Sequence, residues 1–520
     1  MSDLTIAGHF FENVKRYPDK EAIWCDGESM TYSQLSSLCC KYANYLKSRG
    51  LCRGDIIGIP MNNSIASVAL MLASSALGAG LAPINPTIPV ESIEAAFLSG
   101  KVKHIIGRQS FFKTFKDDRD KFPGLRLCLD GNLEGIDNFE ELLNSGDELP
   151  DQTGITGDET FILTMTSGST GAPKPIELTQ INKLKRIKAH VELYDIRESD
   201  RILAATPLYH SLAERLVLLP LTIGATSVLL PRFTPNLWLK CVQDQEVTFT
   251  IAVSAQLGQI AQLLSSPLAP SITSLRSIVS SSALLEPHVR RELIEKLKCD
   301  FHEMYGASEI STATSINFRE ALNKQQSVGR PLKEADIKIV DDDNKELKHG
   351  EVGEIACRTE LIFKGYYGQK ENTRKAFILF DKADDSEEEL RGKGYFKTGD
   401  LGKLDEDGYL YFCGRKKELI ITGGINVYPN DIDKVVSKLD AVKECAAFSY
   451  PDDRLGEVVA LALVKKEGME LSKRDVSVYC VRNLADFQQP HYIFFVESLP
   501  KNSMGKLVRS KIYEMIKTTL

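Results

Sequence analysis

Residues 164–177 read TMTSGSTGAPKPIE. Thr166, Ser167, Ser169 and Thr170 crowd their hydroxyls around Gly168 and Gly171, and Lys174 closes the run. The glycines permit positive φ and close backbone approach. Hydroxyls and successive N–H groups can wrap the oxygens of a polyphosphate, and the lysine adds a mobile charge. The pattern is not G-x-x-x-x-G-K-[ST], because the glycines stand three apart and two residues separate the second from the lysine. Alone, the stretch reads equally as an ordinary Ser/Gly turn. Pro175 adds a question. It has no N–H and biases Lys174 toward extended backbone, in a loop whose work asks for freedom.

The surrounding chain is globular in composition. Of 520 residues, 43% are hydrophobic and 26% charged, near the usual balance for folded domains. Its length fits roughly two to four domains. The formal net charge of -7, from 64 basic and 71 acidic residues, argues against nucleic acid as a partner, which favours a basic stripe. The 11 cysteines form no C-x-x-C pair and read as thiols of a reducing, cytoplasmic compartment. The N-terminus lacks a basic start followed by an apolar run, so no signal peptide is expected. Ile56 to Val90 carries no charge, yet Pro60, Asn62, Gly78, Gly80, Pro83 and Pro86 interrupt it. A buried β-α-β unit is expected there, not a transmembrane helix.

Strand-like and helix-like segments alternate through the first 320 residues, which predicts a mostly parallel sheet with helices on its faces. After Gln326 the texture turns to short alternating strands such as IKIVDD, GEIACR and GYLYFCGR. From Glu418 a compact pattern of helices and strands returns. The fold class is therefore α/β: a large N-terminal multilayer α/β domain with a β-rich subdomain, and a small C-terminal α+β domain. The expected boundaries are 1–413, a joint at 414–417, and 418–520.

Four further stretches accompany the phosphate-like loop. MYGASE, 304–309, sets an aromatic, a glycine and a carboxylate in one turn. YFKTGDLG, 395–402, presents Asp400 after a Thr-Gly turn. GRKKELIITGGINVYPN, 414–430, carries Arg415 and the Gly423-Gly424 pair. PKNSMGKLVR, 500–509, brings Lys506 near the chain end. Each is weak alone, and their order and spacing together are specific.

The set resembles the adenylate-forming superfamily: acyl- and aryl-CoA synthetases, luciferase relatives and peptide-synthetase adenylation domains. The resemblance covers essentially the whole chain. It implies a large domain and a mobile C-terminal lid with the active site between them. The reaction implied has two steps: a small carboxylic acid attacks ATP to give acyl-AMP and pyrophosphate, and then a thiol of CoA, or of a separate carrier protein's phosphopantetheine, displaces AMP. Residue by residue, it implies that Thr166, Ser167, Gly168, Ser169, Thr170, Gly171 and Lys174 hold the β- and γ-phosphates. Glu309 would bind Mg²⁺, Tyr305 would stack near adenine, and Ser308 stands where the family usually has Thr. Asp400 and Arg415 would hold the ribose. Lys506 would bridge carboxylate and α-phosphate, stabilising charge that spreads in the transition state. Lys417 would mark the hinge, and Gly423 and Gly424 would line a pantetheine tunnel. His210, in PLYHSLAE, would sit beside the acyl pocket, or else be a satisfied core histidine.

Two departures from the family pattern stand out. Lys174-Pro175 replaces Lys-Gly, and SSSALL, 280–285, puts Ser281 and Ser282 where glycines are usual. Either could slow adenylation or accompany an unusual substrate. They motivate an alternative, a degenerate homologue that binds nucleotide, acyl group or partner without efficient turnover. Glu214 and Arg215 enter an otherwise apolar helix and read first as an intrahelical or core ion pair, second as a reader of a polar acyl group or carrier partner.

Overall fold

The structure is a computed structural model that describes residues 5–115, 118–166, 174–266, 269–319, 321, 323–380, 386–502 and 505–519. The chain divides into two compact units. The first comprises residues 1–323, 332–335 and 358–394; the second comprises 324–331, 336–357 and 395–520.

The uncharged run after Ile56 folds as a β-α-β unit. Strand Ile56–Pro60 pairs in parallel with strand Gly80–Ile84, Ile56 opposite Gly80. Between them lies helix Ile65–Leu77. The Ser64 hydroxyl caps its start by accepting from the Ser67 N–H, and Gly78 ends it at φ +63°, where only glycine is comfortable. Thirteen residues rise about 20 Å, short of a bilayer. Among the described residues no helix is long and apolar enough to cross a membrane. The apolarity reflects burial on every side, from Val68 to Ala73 without exposure.

This unit belongs to a sheet ordered Gly365–Tyr366, Lys174–Thr179, Thr160–Thr166, Gly80–Ile84, Ile56–Pro60, His104–Gly107, Arg126–Cys128, Asp137–Asn138. A second sheet of the first unit is ordered Ser311–Asn317, Asp300–Ala307, Ser277–Ser281, Phe249–Val253, Arg201–Ala204, Thr226–Leu229, Glu21–Cys25, Glu28–Thr31. Its central strands are parallel and buried, as expected where helices cover both faces. Strand Ser311–Asn317 returns antiparallel on Asp300–Ala307.

In the second unit, strands Ala335–Val340, Gly353–Thr359, Tyr395–Leu404 and Leu410–Arg415 form the β-rich section expected after Gln326. It clusters with the C-terminal segment, and residues 414–417 lie within this unit. The C-terminal sheet is ordered Ile425–Val427, Ile420–Thr422, Gly456–Lys465, Val442–Asp452, with Tyr492–Phe495 added in parallel on Gly456–Lys465. Helices Pro429–Val436 and Lys473–Asn483 bury Ile432, Val436, Val476 and Cys480 in one core with Leu461 and Leu463. None of the eleven cysteines forms a disulfide.

Candidate active site

In the first unit, MYGASE ends strand Asp300–Ala307 and turns into the antiparallel return. Gly306 lies where the register shifts. A Cβ there would stand 1.9 Å from the Ser311 carbonyl oxygen, so only glycine lets the two backbones close. The turn delivers Tyr305, buried, and Ser308 and Glu309, half-buried. The Tyr366 hydroxyl donates to Glu309 Oε1 at 3.1 Å. Burial and the Glu309 charge push the Tyr366 pKa above its ordinary value, so that hydroxyl stays a donor. The backbone of the turn is held from below by Arg186, which donates to the Ser308 and Glu309 carbonyls at 2.9 and 2.8 Å. Neither Tyr366 nor Arg186 carried a signal in the sequence, since both act across long separations.

Ser167, Gly168, Ser169, Thr170 and Gly171 lie outside the described residues, and Thr166 is described by backbone alone. The flanks of their loop are a hairpin, Thr160–Thr166 against Lys174–Thr179, with Thr166 opposite Lys174 and Met165 opposite Pro175. Lys174 Nζ stands 5.7 Å from the centre of the Tyr366 ring, within cation–π range. The same tyrosine thus meets both Lys174 and Glu309. Pro175 is buried at the ladder's end, and its carbonyl accepts from the Tyr367 N–H at 2.9 Å. An end position of this kind tolerates a missing N–H.

His210 forms the N-terminal boundary of helix Ser211–Ile223, its ring 4.6 Å from that of Tyr209. Burial lowers its pKa to about 4, so it is a neutral imidazole near pH 7. In the SSSALL loop, Ser282 takes φ +75°, a left-handed conformation that favours glycine. The Ser254 hydroxyl donates to the Ser281 and Ala283 carbonyls and steadies that loop. Glu214 does form a core ion pair, but with Lys183 of helix Gln180–Leu193, at 2.5 Å. Arg215 points instead to His190 Nε2, at 3.0 Å. Adjacent helix residues face different directions, so the two do not read as one pair. A cavity of about 370 Å³, lined by Pro60, Ile88, Ile93, Arg108 and Phe111 among others, contains none of the candidate catalytic, nucleotide or metal residues named from the sequence.

In the second unit, strands Tyr395–Leu404 and Leu410–Arg415 set Asp400 opposite Arg415, and Arg415 Nε lies 3.5 Å from Asp400 Oδ1. Gly399, at φ +71°, shapes the turn. The Thr398 hydroxyl donates to the Ile355 carbonyl and accepts from the Asp400 N–H. Glu354, absent from the sequence reading, ties the turn down. It accepts from the Gly399 N–H at 3.2 Å and from Lys416 at 2.9 Å. Lys506 stands in a tight turn where its N–H donates to Asn502 Oδ1 at 2.9 Å. Its pKa is held below the lysine norm, first by desolvation and then by the Arg415 charge, while Asp400 and Glu418 oppose the shift. Lys506, Arg415 and Asp400 therefore share one electrostatic neighbourhood, 91 residues of chain separating Arg415 from Lys506. Gly423 and Gly424, at φ +55° and +85°, form the two-residue turn between strands Ile420–Thr422 and Ile425–Val427. Turn geometry alone demands glycine there. Ile421 and Ile425 flank it, 51% and 48% exposed, leaving an apolar hairpin tip.

Among the described residues no group of three or more His, Cys, Asp or Glu side chains is placed to hold a metal alone. Magnesium suits such a surface, since it is bound through one or two carboxylates with substrate phosphates completing its shell. The oriented Glu309 carboxylate fits that donor chemistry.

Residues 10–367 match the family model of the AMP-binding enzymes, and residues 431–506 match that of the AMP-binding enzyme C-terminal domain. A long-chain-fatty-acid–CoA ligase of Mycobacterium tuberculosis is 29% identical over 502 residues, 94% of each chain. An indoleacetate–CoA ligase of Aromatoleum aromaticum is 28% identical, covering 96% of each. The ATP-bound MatB of Rhodopseudomonas palustris superposes with a TM-score of 0.83 at 25% identity, over 99% of each chain. With its motifs set in this fold, the chain belongs to the AMP-binding enzyme family, the adenylate-forming enzymes that include acyl- and aryl-CoA ligases.

Proposed function

We propose that the protein is an ATP-dependent acid–thiol ligase. The observation that carries the reading is the Asp400–Arg415 pair, whose charges act on the Lys506 ammonium. An ammonium with lowered pKa beside a carboxylate–guanidinium pair suits a phosphate ester flanked by a ribose. In the first step a carboxylate oxygen of the acid bonds to the α-phosphorus of ATP, the bond to the β-phosphate breaks, and pyrophosphate leaves. In the second a thiolate attacks the acyl carbon and AMP leaves with the bridging oxygen.

Two anions must approach one another in the first step. Lys506 offsets that repulsion and holds the reacting groups in line. Asp400, acceptor-only when ionised, takes both ribose hydroxyls, with Arg415 beside it. Tyr305 and Ser308 flank the adenine. Lys174 and residues 166–171 hold the outer phosphates. Glu309, aimed by Tyr366, would hold Mg²⁺, which when bound neutralises phosphate charge. His210, neutral, contributes shape and a hydrogen bond to the acyl side. Residues 418–520 form a lid domain that turns about 414–417, with Lys417 in the hinge and the Gly423-Gly424 turn lining the thiol's path. The acceptor is CoA, with a separate carrier protein as the competing thiol. A cytoplasmic location suits cysteines that form no disulfide.

Incubation with ATP, Mg²⁺, CoA and a panel of fatty, aryl and dicarboxylic acids tests the reading. At least one acid should release AMP and pyrophosphate and yield a CoA thioester. If none yields AMP, the protein is the degenerate homologue that Pro175 and Ser282 suggest. Replacing CoA by a phosphopantetheinylated carrier domain decides the acceptor.

A further inference from the structure

Helix Gln180–Leu193 turns a charged face inward. Lys183, Arg186 and His190 recur at the spacing of one helix face and are 3%, 1% and 0% exposed. A guanidinium so deeply buried is costly unless its donors are met. Those of Arg186 are met by backbone. Nε donates to the Leu361 carbonyl at 2.9 Å, Nη1 to Ser308 at 2.9 Å and Nη2 to Glu309 at 2.8 Å. One planar fork therefore joins two segments about fifty residues apart. A neighbour on the same helix adds a second staple, with Asn182 Nδ2 donating to the Ile362 carbonyl at 3.1 Å. The segments also bond directly, the Phe363 N–H to the Glu309 carbonyl at 2.7 Å. Three residues beyond Phe363 stands Tyr366, whose hydroxyl fixes one oxygen of the Glu309 carboxylate.

The clamp thus sets both the carboxylate and the hydroxyl that aims it. We propose that Arg186 is a positioning residue for metal-bound ATP: it fixes the backbone of Ser308–Glu309 against 361–366, so that Glu309 presents its carboxylate in one orientation. The inference rests on the reading of Glu309 as a metal-holding residue. Arginine is required because its fork reaches several carbonyls in one plane, whereas a lysine is a point charge on a flexible stem. Partners that orient a metal ligand typically govern tenfold to a hundredfold in metal affinity.

The test is the affinity of the full-length protein for Mn²⁺–ATP, read by EPR without any acid or turnover. Arg186→Lys keeps the charge and should weaken Mn²⁺–ATP binding by about tenfold or more. Tyr366→Phe, which removes only the aiming hydroxyl, should move it in the same direction by a smaller factor. Ile187→Ala, a cavity variant at a neighbouring buried position of the same helix, should lower stability without changing that affinity. If Glu309→Gln weakens binding but Arg186→Lys and Tyr366→Phe do not, the positioning role is wrong while the metal-holding reading stands. If Ile187→Ala weakens binding as much as Arg186→Lys, the effect is general destabilisation and the proposal falls. If Glu309→Gln itself has no effect, the reading of Glu309 fails and the inference with it.

Discussion

The ion pair between Lys183 and Glu214 offers a quantitative test of how helices Gln180–Leu193 and Ser211–Ile223 are held together. Their side chains are 4% and 0% exposed, and Glu214 Oε1 has no hydrogen-bond partner among the described residues. Breaking a buried pair from one side typically costs about 3–5 kcal/mol, because it strands a charge. The surroundings make the two sides unequal. Glu214 acts favourably on both Arg186 and Arg215, which are themselves buried. Lys183→Met therefore leaves Glu214 with two cations nearby, and its cost should lie near the low end, about 3 kcal/mol. Glu214→Leu leaves three cations facing one another. Lys183 can escape by discharging, which at pH 7 costs about 4.6 kcal/mol, at 1.36 kcal/mol for each pH unit below its ordinary value of about 10.4. That sets a ceiling near 4–5 kcal/mol for the lysine's share. The double variant should fall short of the summed single costs by about 2 kcal/mol or more. Urea unfolding followed by tryptophan fluorescence is the assay, since both tryptophans, Trp24 and Trp238, lie in the first unit with the pair. Additivity within about 0.5 kcal/mol, or Lys183→Met as the costlier change, would refute the reasoning.

Further outcomes follow from single backbone and charge features. Gly306→Ala forces a Cβ to within 1.9 Å of the Ser311 carbonyl oxygen and should cost more than about 2 kcal/mol and abolish AMP release, whereas Gly258→Ala, with open space around it inside a helix, should stabilise by about 0.5–1 kcal/mol; the same urea titration compares them. At Ser282, φ +75° makes Ser282→Gly close to neutral, relief of strain offsetting glycine's entropy, while the β-branched Ser282→Val should lose more than about 1 kcal/mol. The pH profile of adenylation should fall on the alkaline side, because Lys506 must carry its proton and its pKa is depressed. Glu418 opposes that depression, so Glu418→Gln should move the fall to lower pH. His210, lowered to about 4 by burial, should add no acidic limb between pH 5 and 8.

Most of the fold was legible because it rests on local rules. The breakers between Ile56 and Val90 announced a β-α-β unit, and Gly78 and Ser64 act there as the caps their chemistry suggests. The motifs of the site were legible as short turns: Gly306, Gly399 and Gly423-Gly424 each occupy positions a side chain would strain or block. For Gly423-Gly424 the two-residue hairpin by itself accounts for the glycines. Tertiary partners were not legible. Tyr366 meets Lys174 and Glu309 only after an edge strand pairs on Lys174–Thr179, and Arg186 reaches carbonyls more than 120 residues away. For Glu214 and Arg215 the core ion pair was legible but its partner was not: neighbours in sequence on a helix diverge in space, and each charge meets a residue of another helix. The β-rich section, read as an appendage of the N-terminal domain, clusters with the C-terminal segment, because strand Tyr395–Leu404 lies on Gly353–Thr359 and Leu410–Arg415.

The central claim is that a carboxylate oxygen bonds to the α-phosphorus of ATP. An acid that the panel shows to be a substrate, labelled with ¹⁸O in both carboxylate oxygens, tests it in one turnover. Mass spectrometry of the products should find one ¹⁸O in AMP and none in pyrophosphate, with the other ¹⁸O in the thioester carbonyl. Label in pyrophosphate or inorganic phosphate, or unlabelled AMP beside labelled product, would contradict the account.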